Sequence, residues 1–281
     1  MTAQFIRQAR ITFGKYGEEG RQTYQLRVSF NIQKSKKKEA NTAQILVYNL
    51  NQESRAILGG DDVFVQLETK WQDEEQWAVI CTGDVLDVST SKQGVDYVTE
   101  INLGDGFRDL RDSTFSKSYP EGTNIRSVVQ DMVSSFKRID GKKIALDLIS
   151  DARELITGGT FSGKTIDELE RILLPFGLNP RIQNNDLIIE ETLDTTETEA
   201  YLISNLTGLV GSPQTKTLTI DSKEKKGITF IALLNPRIDV GSIVKIESKF
   251  ITGEYIVYNL QYMGDTEDGS WQVLCECLER D

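Results

Sequence analysis

Gly158-Gly159-Thr160-Phe161-Ser162-Gly163-Lys164-Thr165 spells the full G-x4-G-K-T pattern of a phosphate-binding loop, and a helix-forming stretch follows it. In such a loop the backbone N–H groups cradle phosphate oxygens, the lysine reaches the β/γ oxygens and the threonine holds magnesium. That chemistry needs a buried parallel strand before the loop and an acidic metal ligand at the end of a second parallel strand. Only Leu155-Ile156 precede the pattern, inside the polar run that begins Asp151-Ala152-Arg153-Glu154. Leu187-Ile188-Ile189-Glu190 imitates the second strand, yet it reads as half of a tight hairpin turning at Asn184-Asn185. Gly158, Gly163, Lys164 and Thr165 therefore read as a coincidental match. Thr165 is expected to be the N-cap of the next helix, forming a capping box with Glu168 three residues later.

The other reactive residue types lead no further. The chain has no histidine, so serine, cysteine and lysine nucleophiles lack a partner base. Its three cysteines, an odd number, argue against a disulfide framework. Cys275 and Cys277 share a strand face with Val273 and read as core. Asp73-Glu74-Glu75 sits at an acidic hairpin tip, where nothing shields one carboxyl enough to keep it protonated for acid–base work. Lys34-Ser35-Lys36-Lys37-Lys38 offers a contact for nucleic acid or an acidic neighbour, and reads first as a solvated loop tip. The sequon Asn205-Leu206-Thr207 reads as chance in a chain that is not secreted. No catalytic residue, metal ligand set or cofactor is expected, and the protein is expected not to be an enzyme.

At 281 residues the length suits about two domains. Net charge is −11 with a pI near 4.8 and a mean hydropathy of −0.34. An acidic chain does not bind nucleic acid tightly by neutralising phosphates. No apolar run reaches the roughly 18 residues that a membrane helix requires, and the N-terminus lacks a secretory core.

Period-two patterns dominate both ends. Tyr24, Leu26, Val28, Phe30 and Ile32 alternate with polar residues, giving a single expected strand. Strands are also expected at 3–13, in Ala43–Leu50, Val63–Leu67, Trp77–Cys81 and Tyr97–Leu103, and through Lys226–Met263, broken at Asn235-Pro236. Asn51 is expected to cap a short helix. The middle differs. Ile125, Val128, Val129, Met132, Val133 and Phe136 form one helical stripe over 123–137, capped by Thr123 or Asn124. Ile144–Leu148 reads as a strand, Thr165–Leu174 as a second helix, and Asn179–Gln183 with Asp186–Glu190 as a hairpin. The acidic, threonine-rich run 192–199 reads as a linker. The organisation expected is a mainly β chain with an α+β middle, divided at 1–104, 105–192 and 193–281.

Particular stretches carry a resemblance. Gly208–Pro213 (GLVGSP), Lys226–Ser248 and Gly253–Leu278 resemble the C-terminal barrel of central hub proteins from contractile bacteriophage tail baseplates, a family related to the N-terminal region of type VI secretion spikes. Phe30–Leu58 is similar to the first barrel of the same family, with Tyr48-Asn49-Leu50 at its turn. Hub proteins often carry a similar glycine-lysine-threonine before the helix that ends in Pro175-Phe176-Gly177-Leu178. The resemblance implies two β-barrel domains, pseudo-sixfold when trimeric, that join the sixfold tail tube to the threefold spike. It implies a homotrimer in the virion tail baseplate, assembled in the bacterial cytoplasm, with viral DNA passing through its lumen without specific binding. A wall that bound phosphates would stall passage, so the lumen is expected to be acidic or neutral. Lys34 to Lys38 are then expected to lie away from it or to pair with neighbours. Two alternatives stand beside this reading: a P-loop nucleotide-binding protein, and a cell-wall-binding or wall-degrading tail protein. The chain ends at Asp281 with no lysozyme-like or peptidase-like segment, which counts against the last.

Overall fold

The structure is a computed structural model. It describes residues 6–139, 149, 153–191, 193, 195, 197–220 and 223–280, and the backbone of 141–144. The strands are β1 (Arg7–Lys15), β2 (Arg21–Tyr24), β3 (Val28–Ser35), β4 (Thr42–Tyr48), β5 (Val63–Trp71), β6 (Ala78–Gln93), β7 (Asp96–Gly104), β8 (Thr114–Tyr119), β9 (Gly141–Ile144), β10 (Gly159–Lys164), β11 (Leu178–Gln183), β12 (Asp186–Glu191), β13 (Ala200–Ser204), β14 (Leu209–Ile220), β15 (Lys223–Leu233), β16 (Ile243–Glu247), β17 (Thr252–Asp265) and β18 (Trp271–Glu279). The helices are α1 (Gln52–Leu58), α2 (Phe107–Asp112), α3 (Ile125–Val133) and α4 (Thr165–Leu173). The strand expected at Ile144–Leu148 falls largely outside the described residues; β9 ends at its first residue.

The chain forms two compact units. The first comprises Met1–Lys36, Asn41–Gly104 and Leu193–Asp281. It holds one 13-stranded sheet in the order β14-β15-β18-β17-β3-β4-β7-β6-β5-β1-β2, with β16 on β17 and β13 parallel to β16. Period-two burial builds its core: Val28, Phe30 and Ile32 of β3 face Ala43, Ile45 and Val47 of β4 and Leu260 and Tyr262 of β17. Among the described residues no pairing closes this sheet on itself. The first and last segments, expected to form two β-barrel domains, have their strands in one hydrogen-bonded sheet.

The join is made by β17. One edge stays on β18 throughout, from Tyr255↔Glu279 to Gly264↔Trp271. The other edge holds β16 over Thr252–Ile256 and β3 over Asn259–Asp265. The change falls at an irregularity between Val257 and Asn259. An extra residue there frees backbone groups and bends the strand, and Lys36 N–H donates to the Tyr258 carbonyl at that point, 2.9 Å.

The strand expected over Tyr24–Ile32 is two. Gln25 adopts φ 68, separating edge strand β2 from β3, and Tyr24 is exposed. Alternation alone cannot report such a break, because apolar spacing survives a turn. The helix at α1 is capped as expected: Asn51 Oδ1 accepts from Ser54 N–H, 2.8 Å.

The second unit comprises Lys37–Ala40 and Asp105–Thr192. It contains the pair β8–β10 and the sheet β11-β12-β9, in which β9 runs parallel to β12. Val128, Val129 and Met132 of α3 and Leu169 and Leu173 of α4 bury against Ile182, Leu187 and Ile189. Asn124, of the two candidates, caps α3 by accepting from Arg126 N–H, 2.9 Å. Asn184 and Asn185 both take positive φ, as a two-residue hairpin turn requires. The Asp105 carboxylate accepts both of their N–H groups, at 2.6 and 2.9 Å. Gly106, at φ +59, opens α2; a Cβ there would sit 2.6 Å from the Ile182 side chain.

Candidate functional site

The phosphate-loop pattern is a strand. β10 runs antiparallel to β8 from Gly159↔Tyr119 to Lys164↔Thr114. Successive N–H groups of a strand point to opposite edges, so they do not converge on one phosphate. Gly158 is a turn residue at φ +69, where a Cβ would meet the Tyr119 carbonyl at 2.8 Å. Lys164 is exposed and precedes α4 without a side-chain cap. Glu190, the would-be metal ligand, is buried and bonds Arg181 at 2.8 Å.

Thr165 is not the N-cap. It is the first residue of α4, fully buried, and its hydroxyl meets Ser135 Oγ at 2.7 Å. Its N–H donates to the Ser113 carbonyl, 2.9 Å. Glu168 binds Arg171 through Nε at 3.0 Å, so the capping box does not form. β10 enters the helix directly, which leaves Thr165 pointing into the unit rather than along the helix axis. Thr165→Val, which keeps the shape and deletes the hydroxyl, is expected to cost about 1 kcal/mol in urea unfolding. Its effect should be non-additive with Ser135→Ala, since the two share one bond; simple additivity would count against this pairing.

The basic run is not a solvated tip. Lys34 and Lys36 are buried. The Lys34 ammonium bonds Asp239 at 2.8 Å and lies 5.7 Å from the centre of the Tyr262 ring. The Tyr262 hydroxyl donates to the Ile238 carbonyl, and burial pushes its pKa well up. Lys38 bonds Glu170 at 2.5 Å and Asp167 at 3.3 Å, which raises its pKa, the Glu170 bond most. The signal was present: Lys34 and Lys36 continue the inward register of Val28, Phe30 and Ile32.

An ion pair and two arginine–carbonyl hydrogen bonds tie Arg7 and Arg27 to the end of β17 and the loop after it. Arg27 Nη2 bonds Asp265 at 2.9 Å, and Arg7 donates to the carbonyls of Asp265 and Gly269, both at 3.0 Å. Burial of Asp265 opposes its charge; Arg27 and the N–H groups of Glu267 and Asp268 outweigh it and hold the carboxyl below its ordinary range.

Cys81, Cys275 and Cys277 are buried thiols, and burial pushes the last two far above the range of a nucleophile. The tip at 72–76 is exposed, and Glu74 accepts from Trp71 N–H at 2.9 Å. In the sequon, Thr207 is taken up in its own turn, donating to the Leu202 carbonyl at 2.7 Å. No group of potential metal ligands occurs among the described residues.

Ion pairs are buried at two of the places considered for chemistry, Lys34 with Asp239 and Arg181 with Glu190. The same architecture occurs in phage tail proteins. The tail protein from Neisseria meningitidis MC58 superposes with a TM-score of 0.67 at 11% identity, covering 98% of this chain and 97% of that one. The 43 kDa tail protein of prophage MuSo2 from Shewanella oneidensis gives 0.61 at 9%, covering 96% and 98%. The E. coli c3393 protein gives 0.62 at 9%, covering 96% and 77%. It is described as a type VI secretion component with structural similarity to the T4 tail proteins gp27 and gp5. No curated protein sequence matches the chain. The chain belongs to the family described as baseplate hub gp41, whose model matches residues 9–277. Membership implies a structural protein of the virion tail baseplate.

Proposed function

We propose that this chain is the central hub of the baseplate, joining a sixfold tail tube to a threefold spike around a channel for DNA. The family match over 9–277 carries the reading. In this reading three subunits assemble on the tail axis in the host cytoplasm. Each contributes two barrel-like halves, 1–104 and 193–281, giving a pseudo-sixfold ring. A closed ring of head-to-tail contacts is the physical form such an adaptor takes. The β3–β17 pairing supports it, since one continuous sheet holds the two halves of a subunit in fixed register.

A structure of the assembled tail tests this. Three copies on the axis are expected; six copies, or a position off the axis, would sink it. The hub reading also treats 158–165 as structural and the protein as non-enzymatic. Titration with ATP or GTP and magnesium is expected to show no binding, and tight binding abolished by Lys164→Ala would overturn that.

A further inference from the structure

The outward face of the sheet changes character along its length. One register row crosses six strands: Gln272 opposite Met263, Met263 opposite Asn31, Asn31 opposite Gln44, Gln44 opposite Asn102, and Asn102 opposite Asp87. The next row joins Gln261 to Gln33 and Gln33 to Thr42. On the other side Ser29, Leu46, Glu100 and Ser89 stand in line. None of these residues is lysine or arginine, in a chain that has 32 of them. Amides and carboxylates fix one another: Gln261 Nε2 donates to Asn31 Oδ1 at 2.7 Å, and Glu100 Oε1 accepts from Gln44 at 2.8 Å and Asn102 at 3.2 Å.

An ordinary soluble surface intersperses both signs of charge. The same sheet does so farther out, where Lys216, Lys223 and Lys226 on β14 and β15 are exposed. Within the band, the one cation that β3 carries, Lys34, is turned inward and buried, and Lys36 just beyond the strand is buried as well.

We propose that this outward face of β18, β17, β3, β4, β7 and β6 is the wall past which duplex DNA slides. The assignment rests on the hub reading and names the surface that performs it. Hydrated amides and a few carboxylates give a phosphate backbone nothing to neutralise, so no counterions are released and transit meets no sticking point. Two of the amides are tied across strands, Gln261 to Asn31 and Gln44 to Glu100, which holds that part of the surface in place.

The test uses particles assembled with the full chain. A triple variant, Gln33→Lys, Gln44→Lys and Asn102→Lys, is expected to release DNA about tenfold more slowly in about 50 mM salt, recovering at about 200 mM. Release at the parent rate in low salt overturns the wall assignment. A second arm decides the matter even where the lysine variant fails to assemble. Because Cys81, Cys275 and Cys277 are buried, Gln33→Cys supplies one accessible thiol. In intact tails it should react with a small maleimide and resist one on a polymer wider than the duplex. Reaction with both reagents, or with neither, overturns the wall assignment while leaving the hub intact. Purified tails that lack the chain overturn the hub reading itself, and the wall with it.

Discussion

Glu190→Ala is expected to lower the unfolding free energy of the second unit by about 3–5 kcal/mol, among the largest effects available in this chain. The Arg181 side chain is 2% exposed and that of Glu190 5%, and they meet at 2.8 Å across β11 and β12. Gln183 accepts a further bond from Arg181 at 3.3 Å. Removing the carboxylate strands a guanidinium that cannot shed its proton. Replacing both partners, by Arg181→Met with Glu190→Leu, removes the charge along with its counter-charge and is expected to restore most of the loss. Urea unfolding of the four proteins in that cycle checks it. A Glu190→Ala loss below about 1 kcal/mol would show that solvent reaches the pair. The same variant separates the two readings of the segment: a magnesium ligand would announce itself in nucleotide affinity, a structural partner in stability alone.

Gly227→Ala is expected to cost about 3 kcal/mol or more, and to prevent incorporation into tails. A Cβ at this position would lie 2.0 Å from the Cys277 carbonyl oxygen. The obstacle is backbone, so no side-chain rotation relieves it, and β15 must separate from β18 where Gly227 pairs with Leu278. β18 in turn holds β17, which carries the join to β3. The strain therefore falls on the elements that make one sheet of the two chain ends. Thr217→Ala, at an exposed position nearby on β14, serves as the control and should stay within about 0.5 kcal/mol. An unchanged unfolding midpoint for Gly227→Ala would mean that the strands part at no cost.

Local patterns read correctly wherever one element decides its own fate. The α3 stripe, the Asn51 cap and the Asn184-Asn185 turn depend on neighbours within a few residues, and each has the form expected of it. Gly159–Lys164 of the phosphate-loop pattern forms a strand antiparallel to β8, a pairing that the pattern itself does not report. Thr165 was misplaced because its hydroxyl bonds Ser135, thirty residues away. A cap motif reports only the possibility of a local bond; burial gave the hydroxyl a different partner. Lys34 was misplaced likewise, since a lysine in an apolar register is tolerable only if Asp239, supplied from the far end of the chain, is there to meet it.

By itself the sequence determined the strand-rich ends, the α+β middle, the lack of histidine-based chemistry and the acidic balance, because composition and short-range periodicity contain them. Tertiary structure decided that the ends form a single sheet. β17 changes its partner from β16 to β3 at Val257–Asn259, and strand pairing between residues more than two hundred apart leaves no local trace. It also decided which polar residues share a face. Asn31, Gln44 and Asn102 come from three separate strands, and only register brings them into a row free of cations. A period of two assigns each residue to a side of its own strand; which strand lies next to it is settled by the free energy of forming the whole sheet.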